Sequence, residues 1–98
     1  MRQKTSPSPS TPKGNPMTER LVLASRYSEC LQRLSRAADR LRHADLGEKL
    51  MEIAGCIDRM SYDIATNDAG VEILRRAARL IGTVEALVDR KAKASILH

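Results

Sequence analysis

The sequence predicts an all-α protein, specifically a three-helix bundle made of an antiparallel helical hairpin and a third long helix, with a disordered N-terminal tail. Two observations predict this fold class. Apolar residues recur in alternating steps of three and four along most of the chain, which is the spacing of one helix face. The 98 residues are 42% hydrophobic but include no Phe, no Trp and two Tyr, and such a core suits packed helices better than sheets.

The two ends of the chain are predicted to lie outside the bundle. Residues 1–17 contain all four prolines and few apolar side chains, so burial cannot offset the entropy that ordering would cost. We interpret them as a disordered, basic tail rich in Pro and Ser. Residues 18–92 form the predicted bundle, and residues 93–98 a flexible C-terminus.

The first helix is predicted over about residues 18–42. Thr18 is a suitable N-cap residue, and Glu19 falls in the first turn, where the helix dipole favours a negative charge. Ala24, Leu31 and Ala38 widen the apolar stripe of this helix. The stripe itself consists of Leu23, Tyr27, Cys30, Leu34, Ala37 and Leu41.

The second helix is predicted over about residues 46–66. Asp45 followed by Glu48 resembles a capping box at its start, and Asn67 tolerates the left-handed conformation that often ends a helix. About three residues separate the first two helices, so they should fold back as an antiparallel hairpin. Its apolar stripe is Leu46, Leu50, Ile53, Ile57, Met60 and Ile64.

The third helix, predicted over about residues 69–91, is apolar over more of its circumference than the other two. Such a wide apolar surface indicates burial on two sides. In a monomer the third helix would lie in the groove of the hairpin, and in a dimer it could also contact its copy. Gly55 and Gly82 are candidate points of close helix contact, since glycine inside a helix is otherwise unfavourable. Alternatively, both glycines are simply tolerated within their helices. The predicted protein-interaction residues are Leu74, Ala78, Ile81, Gly82, Ala86 and Val88.

The positive charge of the chain is concentrated at its ends. The net charge is +5. Residues 1–17 and 90–98 each carry three basic residues and no acidic one, whereas residues 18–89 carry 11 basic and 12 acidic side chains. Within the hairpin, the first helix is basic and the second acidic, an opposition that favours their antiparallel pairing.

Two arginine clusters invite opposing interpretations. They could contact phosphates, since each neutralised phosphate releases counterions. Alternatively they form a solvated face with ion pairs to Glu29, Asp39, Asp63 and Glu72, which we favour because the body of the chain is near neutral and lacks aromatic platforms for bases. The residues concerned are Arg26, Arg33, Arg36 and Arg40 in the first helix and Arg75, Arg76 and Arg79 in the third.

Two cysteines leave two interpretations open. A turn centred near residues 43–44 would place residue i of the first helix level with about residue 87 − i of the second, which brings Cys30 beside Ile57 and next to Cys56. The pair could then act as a thiol-based redox switch. Alternatively, Cys30 packs as a small apolar residue and Cys56 lies on the flank of the hairpin, and we favour this second interpretation.

The residue patterns favour a binding protein over an enzyme. We find no nucleophile and histidine spacing, no glycine-rich phosphate loop and no metal-ligand spacing, so we expect no catalytic residues, no cofactor and no metal. We predict a small cytoplasmic interaction module, an adaptor, chaperone or inhibitor, that offers a helical face to a larger protein or to its own copy in a homodimer. The alternatives are a nucleic-acid-associated regulator and the thiol switch, and no membrane association is expected.

Overall fold

The protein is all-α, as predicted. A computed structural model describes residues 15–97, and side-chain environments within residues 15–94. This part of the chain contains four helices and no strand: α1 Pro16–Arg40, α2 Ala44–Arg59, α3 Ser61–Thr66 and α4 Ala69–Leu97. Residues 1–14 of the predicted tail and His98 lie outside the described residues. Residues 93–97 continue α4 beyond its predicted end at residue 91.

Helix α1 begins earlier than predicted, because Asn15 and not Thr18 is its N-cap. The Asn15 side chain accepts a hydrogen bond from the backbone N–H of Thr18 at 3.3 Å. Pro16 occupies the first helical turn, where its missing N–H costs nothing and its fixed φ suits the helix. Residues 15–17, which the sequence assigned to the tail, therefore form the start of α1.

A tight turn joins α1 to α2. Arg42 has a positive φ of 66°, its N–H donates to the Asp39 carbonyl at 3.0 Å, and the His43 N–H donates to the Ala38 carbonyl at 2.8 Å. These two bonds form a Schellman motif that ends α1 at Arg40. His43 is the N-cap of α2 without a side-chain hydrogen bond, so the predicted capping box from Asp45 is not formed.

The predicted second helix is divided into α2 and α3 at Met60. No proline or glycine marks this break, and the apolar pattern continues through it. At its other end α3 is held against α1 by a tertiary contact, in which the Arg20 guanidinium of α1 donates to the carbonyls of Ala65 at 3.3 Å and Asn67 at 3.0 Å. Arg20 thereby satisfies the Ala65 carbonyl at the C-terminal end of α3, while the Asn67 carbonyl also accepts from the Gly70 N–H at 2.9 Å.

Two buried serines of α1 form hydrogen bonds to the backbone of α2. The Ser28 hydroxyl donates to the Ala54 carbonyl at 3.3 Å, and the Ser35 hydroxyl donates to the Gly47 carbonyl at 2.6 Å. Both pairs place residue i of α1 level with residue 82 − i of α2. The predicted register places it level with residue 87 − i, which is five residues further along α2. The register differs because the tight turn ends α1 two residues before its predicted end.

Helix α4 packs against α1 and α3 and not against α2. No Cα atom of α2 lies within 8 Å of a Cα atom of α4, whereas both helices contact α1. Asn67 lies beside Arg20, and Val88 lines a shallow pocket together with Leu34, so α4 runs parallel to α1. The predicted position of the third helix, against both helices of the hairpin, is therefore observed for α1 and not confirmed for α2.

The hydrophobic core lies where α2, α3 and α4 meet α1. In α1 the buried face is centred one residue further along than predicted, since Ala24, Leu31 and Ala38 are almost completely buried while Leu23 is 37% exposed. The core cluster comprises Ala24, Leu31, Leu34, Leu50, Ala54, Ile57, Ile64, Leu74, Ala77, Ile81 and Val84.

Close backbone approach occurs at glycines other than the two predicted ones. A Cβ atom at Gly70 would overlap the Ile64 carbonyl oxygen and lie 2.6 Å from its carbon. At Gly47 it would collide with the Asp39 carboxylate and lie 3.0 Å from the Ser35 carbonyl oxygen. The prediction for Gly82 is wrong, because a Cβ atom there would meet nothing within 4 Å. At Gly55 it would contact only the flexible Arg59 side chain, at 3.2 Å.

We expect Gly70→Ala and Gly82→Ala to change stability in opposite directions. Gly70→Ala should lower the free energy of unfolding by about 1–3 kcal/mol, because the added methyl group has no space beside Ile64. Gly82→Ala should raise it by about 0.5–1 kcal/mol, because alanine is the better helix former at an open position. Urea denaturation followed by circular dichroism measures both, and two changes of the same sign would contradict the packing described here.

Candidate interaction groove

An apolar groove lies between α2 and α4, at the place where these helices fail to meet. It has a volume of about 290 Å³. Arg76 is the charged residue of its lining, and Cys56 lies on the α2 side. The groove, called the α2–α4 groove from here on, is lined by Ile53, Cys56 and Ile57 from α2, by Met60 at the C-terminal end of α2, and by Ile73, Arg76, Ala77 and Leu80 from α4.

The groove is formed by the apolar flanks of α2 and α4 that border the core. Ile57 and Ala77 are buried and form the floor, while Ile53, Ile73 and Leu80 are half-buried and form the walls. Leu80 follows Ile73 by seven residues, which places both on one side of α4. Each of these wall side chains therefore packs against the core with one of its surfaces and leaves the other exposed in the groove.

The predicted interaction residues of α4 are divided between the core and the surface. Leu74 and Ile81 are 7% and 8% exposed and belong to the core, so their assignment to an interaction surface is wrong. Val88 is half-buried against the core. The other three residues of the predicted set, Ala78, Gly82 and Ala86, are small and exposed.

The groove walls were not identified from the sequence as an interaction site. Ile73 and Leu80 belong to the wide apolar surface of the third helix, but the sequence does not show which flank of that surface α1 covers. A usable signal was the seven-residue repeat of Ile73, Leu80 and Leu87, all half-buried in the structure. A separate exposed apolar group, not predicted either, occupies the start of α1: Met17, Leu21, Val22 and Leu23.

All seven arginines of the predicted phosphate-contact set are exposed. Within the described residues, the ion pairs join Glu72 to Arg75 and, at 3.3 Å, to Arg76. Of the four expected acidic partners, Glu29, Asp39 and Asp63 thus make no ion pair in this part of the chain. The opposite charges of the first two predicted helices also form no ion pair with each other. Among the arginines of α1 in the predicted set, Arg26, Arg33, Arg36 and Arg40 all lack an acidic partner.

Glu72 is held in its charged form by the two arginines that follow it on α4. The hydrogen bond from Arg75 is the main reason why the pKa of Glu72 is lowered, and the bond from Arg76 acts in the same direction. Glu72 therefore offsets part of the positive charge at the edge of the groove.

The two cysteines occupy different environments. Cys30 is half-buried against the core, whereas Cys56 is exposed in the groove and accepts a hydrogen bond from the Arg59 guanidinium at 3.4 Å. In the observed register Cys30 is level with residue 52, about four residues or 6 Å along the helix axis from Cys56. The structure thus does not place the two thiols opposite each other, and both are unpaired.

The described part of the chain offers neither a metal site nor a membrane-spanning helix. No cluster of three or more His, Cys, Asp or Glu side chains within it could hold a metal ion. None of its helices has both the length and the hydropathy that crossing a bilayer requires.

Comparison with known proteins gives no match. No family model matches the chain, and neither the curated proteins nor the solved structures contain a similar protein at the threshold of significance. The groove and the charged surfaces are therefore interpreted from this structure alone.

We expect Cys56 to react with a thiol reagent at least about tenfold faster than Cys30, because Cys56 is exposed and Cys30 packs against the core. Ellman's reagent should show one fast thiol in the native protein, and a second that reacts rapidly only after unfolding. Cys56→Ser should remove the fast phase, and Cys30→Ser the slow one. Equal rates, or a disulfide that forms readily under mild oxidation, would contradict this placement.

Proposed function

We propose that the protein is a small, non-enzymatic interaction module that binds a larger protein through the α2–α4 groove. The single observation that carries the proposal is the groove itself, an apolar channel between two helices that both pack on α1 but not on each other. Amphipathic helices bind in such channels by placing apolar side chains between the two walls. A role as adaptor, chaperone or inhibitor requires no more than this kind of binding.

The proposal extends to the architecture of the bound state. Helices α1, α2 and α4 would form a three-helix bundle whose third seam, between α2 and α4, is closed by the partner. A second copy of the chain is the other occupant to be tested, in which case the protein is a homodimer. We place this function in the cytoplasm, where two unpaired thiols would remain reduced.

A photo-crosslinker attached to Cys56 tests the proposed site directly. In the Cys30→Ala protein, a benzophenone on Cys56 lies in the groove and should form an adduct of defined mass with the partner in a cell extract. The matched control carries Met51→Cys with both native cysteines replaced by alanine, since Met51 is exposed on α2 and is absent from the groove lining.

The two labelled proteins distinguish the outcomes. An adduct specific to Cys56 supports a partner in the groove, and an adduct with twice the mass of the chain identifies a second copy. The proposal is overturned if both positions give the same adducts, or if neither gives any while circular dichroism shows that both proteins are folded.

Four arginines on one exposed side of α1, none with an acidic partner, favour a second candidate function, that of a nucleic-acid-associated regulator. Arg26, Arg33 and Arg40 are spaced by seven residues, and Arg36 lies between the last two, so the four cations follow one exposed side of α1. Such a ridge could neutralise phosphates along a nucleic-acid backbone.

For this second function we expect duplex DNA to bind with a steep dependence on salt. If the four arginines each contact a phosphate, the logarithm of the binding constant should fall with the logarithm of salt concentration with a slope of about −3 to −4. Arg33→Gln together with Arg36→Gln should reduce the slope by about two, while Arg75→Gln should leave it unchanged. Fluorescence anisotropy measures the slope, and no binding at low salt would exclude this candidate.

A further inference from the structure

We propose that the occupant of the α2–α4 groove is an acidic amphipathic helix of the partner protein. This inference depends on the proposed function and specifies the chemistry of the partner. The length of the groove is the first argument. Met60 and Ile73 line one end and Ile53 and Leu80 the other, seven residues away on each helix. At 1.5 Å per residue this is about 10 Å, or two helical turns.

Two turns of a bound helix present apolar side chains at positions i, i+3 or i+4, and i+7 on one face. The groove matches such a set, because its walls are aliphatic side chains, Met60 and the thiol of Cys56. A volume of about 290 Å³ lies at the lower limit for small-molecule sites, which also have several convergent polar groups. In this lining Arg76 alone carries a charge, which favours apolar peptide side chains.

The charge at the rim is the second argument. Arg76 projects from the groove lining with its side chain 76% exposed. Arg79 follows it on α4, exposed and without an ion pair, and Arg59 lies beside Cys56 on the α2 side. On the α4 side, Glu72 is already paired with Arg75 and Arg76.

The rim is therefore positive on balance, and a bound helix with carboxylates beside its apolar face would pair with it. Two other occupants fit less well. Residues 1–14 of this chain carry three basic residues, and Met1 is their sole large apolar side chain, so they lack both the charge and the apolar surface. Two copies with their grooves facing each other would bring two positive rims together, which is unfavourable.

Designed peptides and the native full-length chain test this inference. The probe is a fluorescently labelled amphipathic helical peptide with leucines on one face and glutamates on the others. The first control replaces every glutamate by lysine, and the second replaces the leucines by serine. Fluorescence anisotropy at low and moderate salt gives the dissociation constants, and sedimentation establishes the oligomeric state of the protein under the same conditions.

We expect the acidic peptide to bind at least about tenfold more tightly than the lysine peptide at low salt, and the serine peptide not to bind. Arg76→Gln together with Arg79→Gln should bring the two affinities to within about threefold of each other. Arg33→Gln together with Arg36→Gln removes the same charge from the outer side of α1 and should change neither affinity.

The failures of the two proposals differ. Equal binding of the acidic and lysine peptides, or no binding of either while Cys56 still crosslinks to a partner, would overturn the acidic helix and leave the proposed function standing. A dimer that buries the groove would overturn the acidic helix as well. No peptide binding combined with no adduct specific to Cys56 would overturn both.

Discussion

The close approach of α1 and α2 at two buried serines is the contact on which the rest of the structure depends. Ser28 and Ser35 lie on the core side of α1, and each hydroxyl donates to a backbone carbonyl of α2. A buried hydroxyl without such a partner would cost about 1–3 kcal/mol, so each serine tolerates few positions of α2. Gly47 leaves space for this approach, since a Cβ atom there would lie 3.0 Å from the Ser35 carbonyl oxygen. The two contacts together fix the register of the hairpin.

The position of α4, and with it the groove, follows from the end of this hairpin. Helix α3 is held against α1 by the hydrogen bonds that Arg20 donates to Ala65 and Asn67. The chain then enters α4 at Gly70, directly against the Ile64 backbone. This crossing starts α4 on the side of α1 that α2 does not cover. The apolar flanks of α2 and α4 consequently face a common space and not each other.

The helical nature of the chain was predictable because periodic burial leaves a periodic sequence. The buried face of α1 was placed one residue off, since Ser28 and Ser35 read as polar surface positions although they share the seven-residue spacing of Ala24, Leu31 and Ala38. The break at Met60 has no local signal, since neither proline nor glycine occurs there and the apolar pattern continues through it. Likewise, local sequence does not distinguish Gly70 from Gly82. Only at Gly70 does the packing exclude a side chain. The groove depends on these non-local contacts, and therefore its lining could not be predicted.

The fold cannot easily cover the groove with its own residues, and this is why a partner is the natural complement. To bring α4 against α2, the chain would have to move α4 around α1, which would disturb the surface that Val88 and Leu34 share, and to change the crossing at Gly70. Both changes would expose core residues in order to bury Ile53, Ile73 and Leu80. Apolar surface gains about 25 cal/mol for each Å² removed from water, so such an exchange within one chain gains little. A helix from a partner buries the same three side chains and leaves the existing core intact.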